Sequence, residues 1–367
     1  MIFIKAIFTY VPFAVFALTY LMFVRRCRLG GFGRKAWSVW LLTCCAKFLA
    51  FQCLGGDVFY PDLPQVLIWA WNWAYSGSII LCALSFPFFL WESGRKAWCL
   101  PLVAWTLSAF GLWNGLRPPA ANEVELRHPA LPAELDGYRI VLISDIHCSH
   151  AARKWRTESI VDVANALYPD LICLCGDFVD GTAAEHEADI APIAGLKAVD
   201  GVFAVTGNHE YYFDRPGWKK AYAGLGIRFL RNECVFPRPS LALAGVPDIA
   251  SGRYPGELQP NVATAFEAAT NGEFRVLMQH QPLWAPGNVS RHRVNLQLSG
   301  HTHGGIMPGL SGLVRNANGG FLRGLYRLAG GYLYVSPGSG QWAGFPLRFF
   351  NPSEITCITL KKTRGKK

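Results

Sequence analysis

The chain has 367 residues, enough for two domains, and 35 Lys and Arg against 25 Asp and Glu give it a formal net charge of +10. Its 51% hydrophobic and 16% charged content is apolar for a soluble protein. The basic residues are not interleaved with an aromatic stacking platform, so nucleic acid is not expected as a partner.

The apolar excess lies before about residue 116, in stretches at residues 6–24, 36–54, 65–91 and 97–116. Each approaches the ~20 residues that cross a bilayer core, and the first two hold no carboxylate. Four transmembrane helices over residues 1–116 are therefore expected. A cleaved signal peptide would end after one short run, and a soluble core helix rarely stays apolar on every face for so long. Trp37, Trp40, Trp91, Trp98 and Trp113 fall near the expected ends, as an interfacial belt would. Asn72 and Ser76 in the third stretch have no charged companion there and read as interhelical hydrogen-bond partners. That lack of charge also argues against transport.

Loop charge sets the expected orientation. The first connection carries Arg25, Arg26, Arg28, Arg34 and Lys35, and the third carries Arg95 and Lys96 beside Glu92. The second has only Asp57 and Asp62. Basic loops stay cytoplasmic, so four crossings place both termini on the outer side. The expectation is a multi-pass protein of a bacterial inner or plasma membrane whose downstream domain is extracytoplasmic.

Residues 117–137, with Pro118, Pro119, Pro129 and Pro132, read as a linker. Beyond it, runs at 138–143, 171–175, 202–206, 274–278 and 294–298 have strand character, and 154–167 has helical spacing. This alternation predicts an α/β domain over residues 138–360. Later runs at 241–246, 332–335, 347–350 and 355–360 lack long intervening helices and predict a second sheet packed on the first. Residues 361–367 form a basic tail, either lying on anionic lipid or simply solvated. Eleven cysteines without regular spacing do not make a disulfide framework. Cys173 and Cys175 alternate as small buried hydrophobes, while Cys148 is read as accessible and without assigned chemistry.

Five polar clusters follow predicted strands: Asp145 and His147 in SDIH, Asp177 in CGDF, Asn208 and His209 in GNHE, His280 in MQHQP, and His301 and His303 in SGHTHGG. In α/β sheets, ligand-binding loops gather at the carboxyl ends of strands. Carboxylate, amide and imidazole groups in these numbers can hold two divalent ions around a shared carboxylate. Gly176, Gly207 and Gly300 precede ligands and let the backbone aim them. Glu210 and His150 lie nearby but are not needed as ligands.

The series D-x-H, G-D, G-N-H-E, H and G-H-x-H, in this order, resembles the calcineurin-like metallophosphoesterase superfamily. The resemblance extends to YVSPGSGQWAGFPLRFF, which is similar to its bacterial membrane-associated branch. It implies a four-layer sandwich of two packed β-sheets flanked by helices, here preceded by an all-α four-helix transmembrane region. It also implies one metal on Asp145, His147, Asp177 and His303 and a second on Asp177, Asn208, His280 and His301. Hydroxide shared by the two ions would attack a phosphodiester or pyrophosphate, while His209 stabilises charge on the phosphoryl oxygens and leaving group. His209 read alone could instead position Asn208. Manganese is the ion this resemblance favours, with iron or zinc as alternatives.

Substrate evidence is indirect. Arg315, Arg323 and Arg327 follow the GHTHGG loop and would bind an anionic head group, with Phe321, Leu322 and Leu325 meeting acyl chains; the alternative is a solvated loop. Membrane-associated relatives that cleave UDP-diacylglucosamine suggest that substrate. An outward domain instead fits the bilayer's own phospholipids or other envelope phosphate esters. A non-catalytic scaffold, as in the retromer subunit, would be expected to lack a ligand, and none is missing here. Ser339 lacks the G-x-S-x-G context of a serine hydrolase.

Overall fold

The computed structural model describes residues 2–27, 29–54, 56–57, 60–90, 99–270, 272–305, 309–345, 347–349 and 351–363. The expected third connection, with Trp91, Glu92, Arg95, Lys96 and Trp98, lies outside them, as do Arg28, Arg364, Lys366 and Lys367. The chain divides into two compact units. One is Met1–Arg117 with Ala343–Phe349, and the other is Pro118–Trp342 with Phe350–Lys367.

The first unit is helical. Helix α1, Ile2–Thr19, runs into a π-helical turn at Tyr20–Val24, and α2 (Gly31–Cys45), α3 (Lys47–Cys53), α4 (Gln65–Leu90) and α5 (Leu100–Leu116) follow. Hydroxyls inside these apolar helices bond to carbonyls one turn back, as Thr19 does to Val15, Ser78 to Ala74 and Ser85 to Leu81. An apolar surround makes such internal satisfaction necessary. Gly77 of α4 has no side chain because a Cβ there would meet the Trp105 ring of α5 at 2.6 Å.

Every expected apolar stretch is helical over most of its described residues, but four spans are not shown. Among the described residues only Gln65–Pro87 is a single helix long and apolar enough to cross a bilayer. The second stretch bends by 58° at Ala46, and α2 with α3 reaches spanning length and apolarity only as one broken span, while the apolar runs Thr9–Val24 and Leu100–Leu116 fall short of the length. Asn72 is an interhelical partner, but a charged residue accompanies it. Lys47 is fully buried and donates Nζ to Asn72 Oδ1 and to Gly344 O at 2.7 Å, with the Phe48 ring 4.3 Å away. Asn114 Nδ2 donates to Arg348 O at 2.7 Å. The described part of the run expected as a strand at 347–350 is thus not a strand. Its described residues 347–349 are held among the helices.

The second unit is built on two six-stranded sheets. Its strands are β1 (Ala120–His128), β2 (Arg139–Ile143), β3 (Leu171–Cys175), β4 (Val202–Val205), β5 (Arg228–Phe229), β6 (Glu233–Arg238), β7 (Leu241–Gly245), β8 (Phe274–Met278), β9 (Leu296–Ser299), β10 (Gly324–Leu328), β11 (Gly331–Val335) and β12 (Glu354–Lys362). One sheet has the order β1-β12-β2-β3-β4-β5 and the other β10-β11-β9-β8-β7-β6. Helices α6 (Lys154–Ala166), α7 (Ala183–Ile190), α8 (His209–Tyr212), α9 (Arg215–Ala223), α10 (Val262–Ala265), α11 (Ala285–His292) and α12 (Ser311–Ala317) complete it.

Side-chain alternation produces the layers. Ile140, Leu142, Leu171, Cys173 and Cys175 face Leu241, Leu243, Val276, Met278, Leu296 and Leu298 in a shared core. On the opposite face of the first sheet, Val141, Ile143, Ile172 and Leu174 pack against Ile160, Ala164 and Trp218 of the helices. The outer face of the second sheet packs Ala242, Ala244 and Leu277 against Ala265 and Val289. Such two-face burial demands the near-continuous apolar strands seen in the sequence.

Three expectations change. Residues 117–137 are not a linker throughout, because β1 pairs with β12 in parallel from Ala120↔Glu354 to His128↔Lys362. Strands β8 and β9 belong to the second sheet, and β12 returns to the first. Cys148 is buried rather than accessible, and burial pushes its thiol pKa up.

Candidate metal centre

Loops leaving β2, β3, β4, β8 and β9 carry the polar clusters to one end of the paired sheets. Backbone bonds tie these loops together: Asp145 N to Gly176 O at 3.0 Å, His147 N to Asp177 O at 3.1 Å, and Gly300 N to His280 O at 2.8 Å. Asp145, His147, Asp177, His301 and His303 all have positive φ, from 47° to 71°. That region is costly for residues with a Cβ, and such strain collects at functional sites.

The glycines before the ligands act mainly by leaving room. Only Gly176 among them has a positive φ, 79°, and its missing Cβ would lie 2.7 Å from His280 Nδ1. A Cβ on Gly207 would run into Asp177 Oδ1, and one on Gly300 into Asp145 Oδ2.

The ligand atoms form three interlocking groups: Asp145, His147 and His303; His147, Asp177 and His209; and Asp177, His280 and His301. Asp177 and His147 each belong to two. His147 Nε2 lies 3.1 Å from His303 Nε2, His303 Nε2 lies 3.6 Å from Asp145 Oδ1, and His280 Nε2 lies 3.0 Å from Asp177 Oδ2. Asn208 Oδ1 is buried without a hydrogen-bond partner, and so is His280 Nε2. A buried acceptor and imidazole nitrogens converging on carboxylates form a donor set that divalent cations satisfy. The residues present therefore fit divalent metal binding, with Asp177 and His147 each common to two of the groups.

Burial opposes charge on His280, yet Asp177 outweighs it and raises its pKa, so coordination by this ring would displace a proton. His280 Nδ1 lies 2.7 Å from Cys175 O, which fixes the tautomer and leaves Nε2 toward Asp177. Burial, with the neighbouring His280, lowers the His301 pKa to about 3, so its ring is neutral and able to coordinate. Burial opposes charge on His209, yet Asp177 and Asp180 outweigh it and raise its pKa to about 9. Its Nδ1 bonds Asp180 Oδ1 and its Nε2 stands 4.0 Å from Asp177 Oδ2, at the face of the site.

Two carboxylates support the cluster from outside the ligand series: Glu210, noted from the sequence, and Asp180, which the sequence reading missed. Asp180 Oδ1 also lies 3.2 Å from His147 Nδ1, so one oxygen orients two imidazoles. The D-x-x-D spacing in GDFVD was its signal. Glu210 accepts from the N–H groups of Asp177 at 2.9 Å, Phe178 at 2.7 Å and Gly207 at 2.6 Å, holding the turn that carries the shared ligand. His150 instead packs edge-on to His186, with ring centroids 4.6 Å apart.

The three arginines separate. Arg315 ends α12 and Arg327 lies on β10, both exposed. Arg323 NH1 donates to Asn351 Oδ1 at 2.5 Å, and Asn351 Nδ2 donates to His303 O at 2.8 Å. Phe321, expected to meet acyl chains, is buried against Ala285, Leu333 and Val335, and Leu322, expected to do the same, is buried too. Leu325 is 39% exposed.

Residues 138–305 match a family model described as calcineurin-like phosphoesterase. A Danio rerio protein named "Transmembrane protein with metallophosphoesterase domain" is 35% identical over 273 residues, covering 71% of this chain and 62% of its own length. Its Bos taurus namesake is 32% identical over 313 residues, covering 77% of this chain and 70% of its own. A metallophosphoesterase of Helicobacter pylori is 34% identical over 251 residues, 68% of this chain and 66% of that protein.

Proposed function

This chain belongs to the calcineurin-like phosphoesterase family, and we propose on that premise that it is a membrane-anchored enzyme hydrolysing a phosphodiester or pyrophosphate with two divalent metal ions. The observation that carries this reading is the interlocking of three ligand groups through Asp177 and His147. Asp145, His147, Asp177 and His303 would hold one ion, and Asp177, Asn208, His280 and His301 the other. Bound there, the ions supply Lewis-acid charge and lower the pKa of a water to make a nucleophile at neutral pH. Manganese is the preferred ion for assay, and the mixed oxygen and imidazole donors equally suit iron or zinc.

The chain's own groups complete the chemistry. His209, oriented through Nδ1 by Asp180, presents a protonated Nε2 that donates to the phosphoryl or leaving-group oxygen. Glu210 keeps the Asp177 turn rigid through three backbone bonds. The full ligand set favours an enzyme over a scaffold.

The helical unit is proposed to lie in the bilayer, with the second unit extracytoplasmic and acting on an envelope or lipid-linked phosphate ester. The names of the vertebrate relatives and the spanning-length helix Gln65–Pro87 support this. So do Arg25, Arg26, Arg34 and Lys35 on the first connection and start of α2.

The test is hydrolysis of an aryl phosphodiester and its matching monoester by detergent-solubilised, Mn²⁺-loaded protein, compared with Asp177→Asn. The variant should keep its circular dichroism, bind less metal and lose turnover. Turnover equal to the parent would refute the assignment. For topology, a C-terminal reporter active only outside the cytoplasm should be active, and a cytoplasm-only reporter silent; the reverse would overturn the outward domain.

A further inference from the structure

A cleft of about 910 Å³ opens within the helical unit, lined by Leu18, Leu21, Met22, Arg25 and Arg26 from one side and Cys82, Ala83 and Phe86 from the other. The first five recur at helical spacing from the end of α1 through its π turn to the residues that follow, and the last three share one stripe of α4. The wall is apolar for most of its length and ends in two adjacent arginines. Eight residues separate Leu18 from Arg26, a rise of roughly 12 Å at 1.5 Å per residue. That length accommodates much of an acyl chain beneath a charged head. Leu18, Leu21 and Phe86 are half exposed.

We propose that this cleft is a binding site for one anionic glycerophospholipid, its acyl chain along Leu18, Leu21, Met22 and Phe86 and its phosphate against Arg25 and Arg26. Charge complementarity selects the occupant. Paired guanidiniums at the end of an apolar groove favour a phosphate with net negative charge over a zwitterionic head, because a choline ammonium would repel them. The arginines belong to the first connection, so the lipid would come from the cytoplasmic leaflet and would be a structural lipid distinct from the substrate. This inference rests on the membrane reading above.

The experiment is native mass spectrometry of the full chain released from detergent micelles doped with either phosphatidylglycerol or phosphatidylcholine. The parent should retain one phosphatidylglycerol with about tenfold preference over phosphatidylcholine, the order expected when two basic residues each favour an anionic head. Arg25→Gln with Arg26→Gln should abolish the preference, and Ala83→Trp, which fills the cleft, should remove retention of both lipids. Equal retention of the two lipids by the parent would overturn the proposal. A preference surviving in the double variant, or retention surviving in Ala83→Trp, would place the lipid elsewhere and also overturn it. Carbonate extraction of native membranes separates this from the underlying reading: protein released into the wash refutes the anchor itself. Protein kept in the membrane without lipid preference refutes only the site.

Discussion

Asp180 Oδ1 bonds Nδ1 of His209, deep enough that the Asp180 side chain is closed to solvent. The bond fixes which nitrogen of His209 faces the ligands, and the carboxylate raises the ring's affinity for its proton. Asp180→Asn should therefore reduce kcat by about 10- to 100-fold, the usual effect of losing an outer partner of a metal-site histidine. Because His147 loses the same partner, metal affinity should fall as well. Steady-state kinetics across a manganese titration would check this: saturating metal should restore occupancy but not full kcat. Full recovery would confine Asp180 to support of His147.

Gly207 makes a second prediction, through space alone. Its absent Cβ is replaced by the Asp177 carboxylate, while Glu210 holds its N–H. Gly207→Ala should displace Asp177 and lower metal content and turnover together, with far-UV circular dichroism unchanged because neither sheet core is touched. Gly287→Ala is the control, since nothing lies within 4 Å of its added Cβ.

The candidate ligand series was legible as a converging set because each member follows an apolar strand, and strand ends in such sheets converge. Its partners were less so. Asp180 and Glu210 touch groups from other loops, contacts that only the fold creates. β1 was hidden by its flanks: Pro118 and Pro119 precede Ala120–His128, and Pro129 and Pro132 follow it, so the prolines bound the strand without interrupting it. Within it Val124, Leu126 and His128 are more buried than Glu123, Glu125 and Arg127, an alternation already present in the sequence. Residues 347–349 have strand composition but group with the helices, a distinction that short apolar runs do not carry.

Lys47 was the other omission, a single cation in an apolar stretch. Its Nζ serves both Asn72 Oδ1 and Gly344 O inside the helical unit. Lys47→Met removes the donor from two buried acceptors and should destabilise the full-length protein by about 2 kcal/mol or more, at ~1–3 kcal/mol per unsatisfied group. Asn72→Leu in the same background removes one stranded acceptor and should recover part of the loss. Thermal unfolding in detergent across the four proteins of this cycle would measure the coupling. Additive losses would mean that the two side chains do not act together.

Arg323 distinguishes substrate binding from support. Its guanidinium donates to Asn351, which in turn donates to the carbonyl of the ligand His303. Gly304, at φ 59°, leaves no room for a Cβ because Asn351 presses against it. Loss of this brace should let the His303 loop relax. Arg323→Ala is therefore expected to lower kcat and weaken metal retention by up to about tenfold, less than loss of a direct ligand partner, with KM for a small aryl ester nearly unchanged. Arg315→Ala and Arg327→Ala, at exposed positions, should leave metal content intact. If Arg323→Ala instead raises KM with kcat and metal content preserved, the side chain contacts substrate and the brace through Asn351 is dispensable.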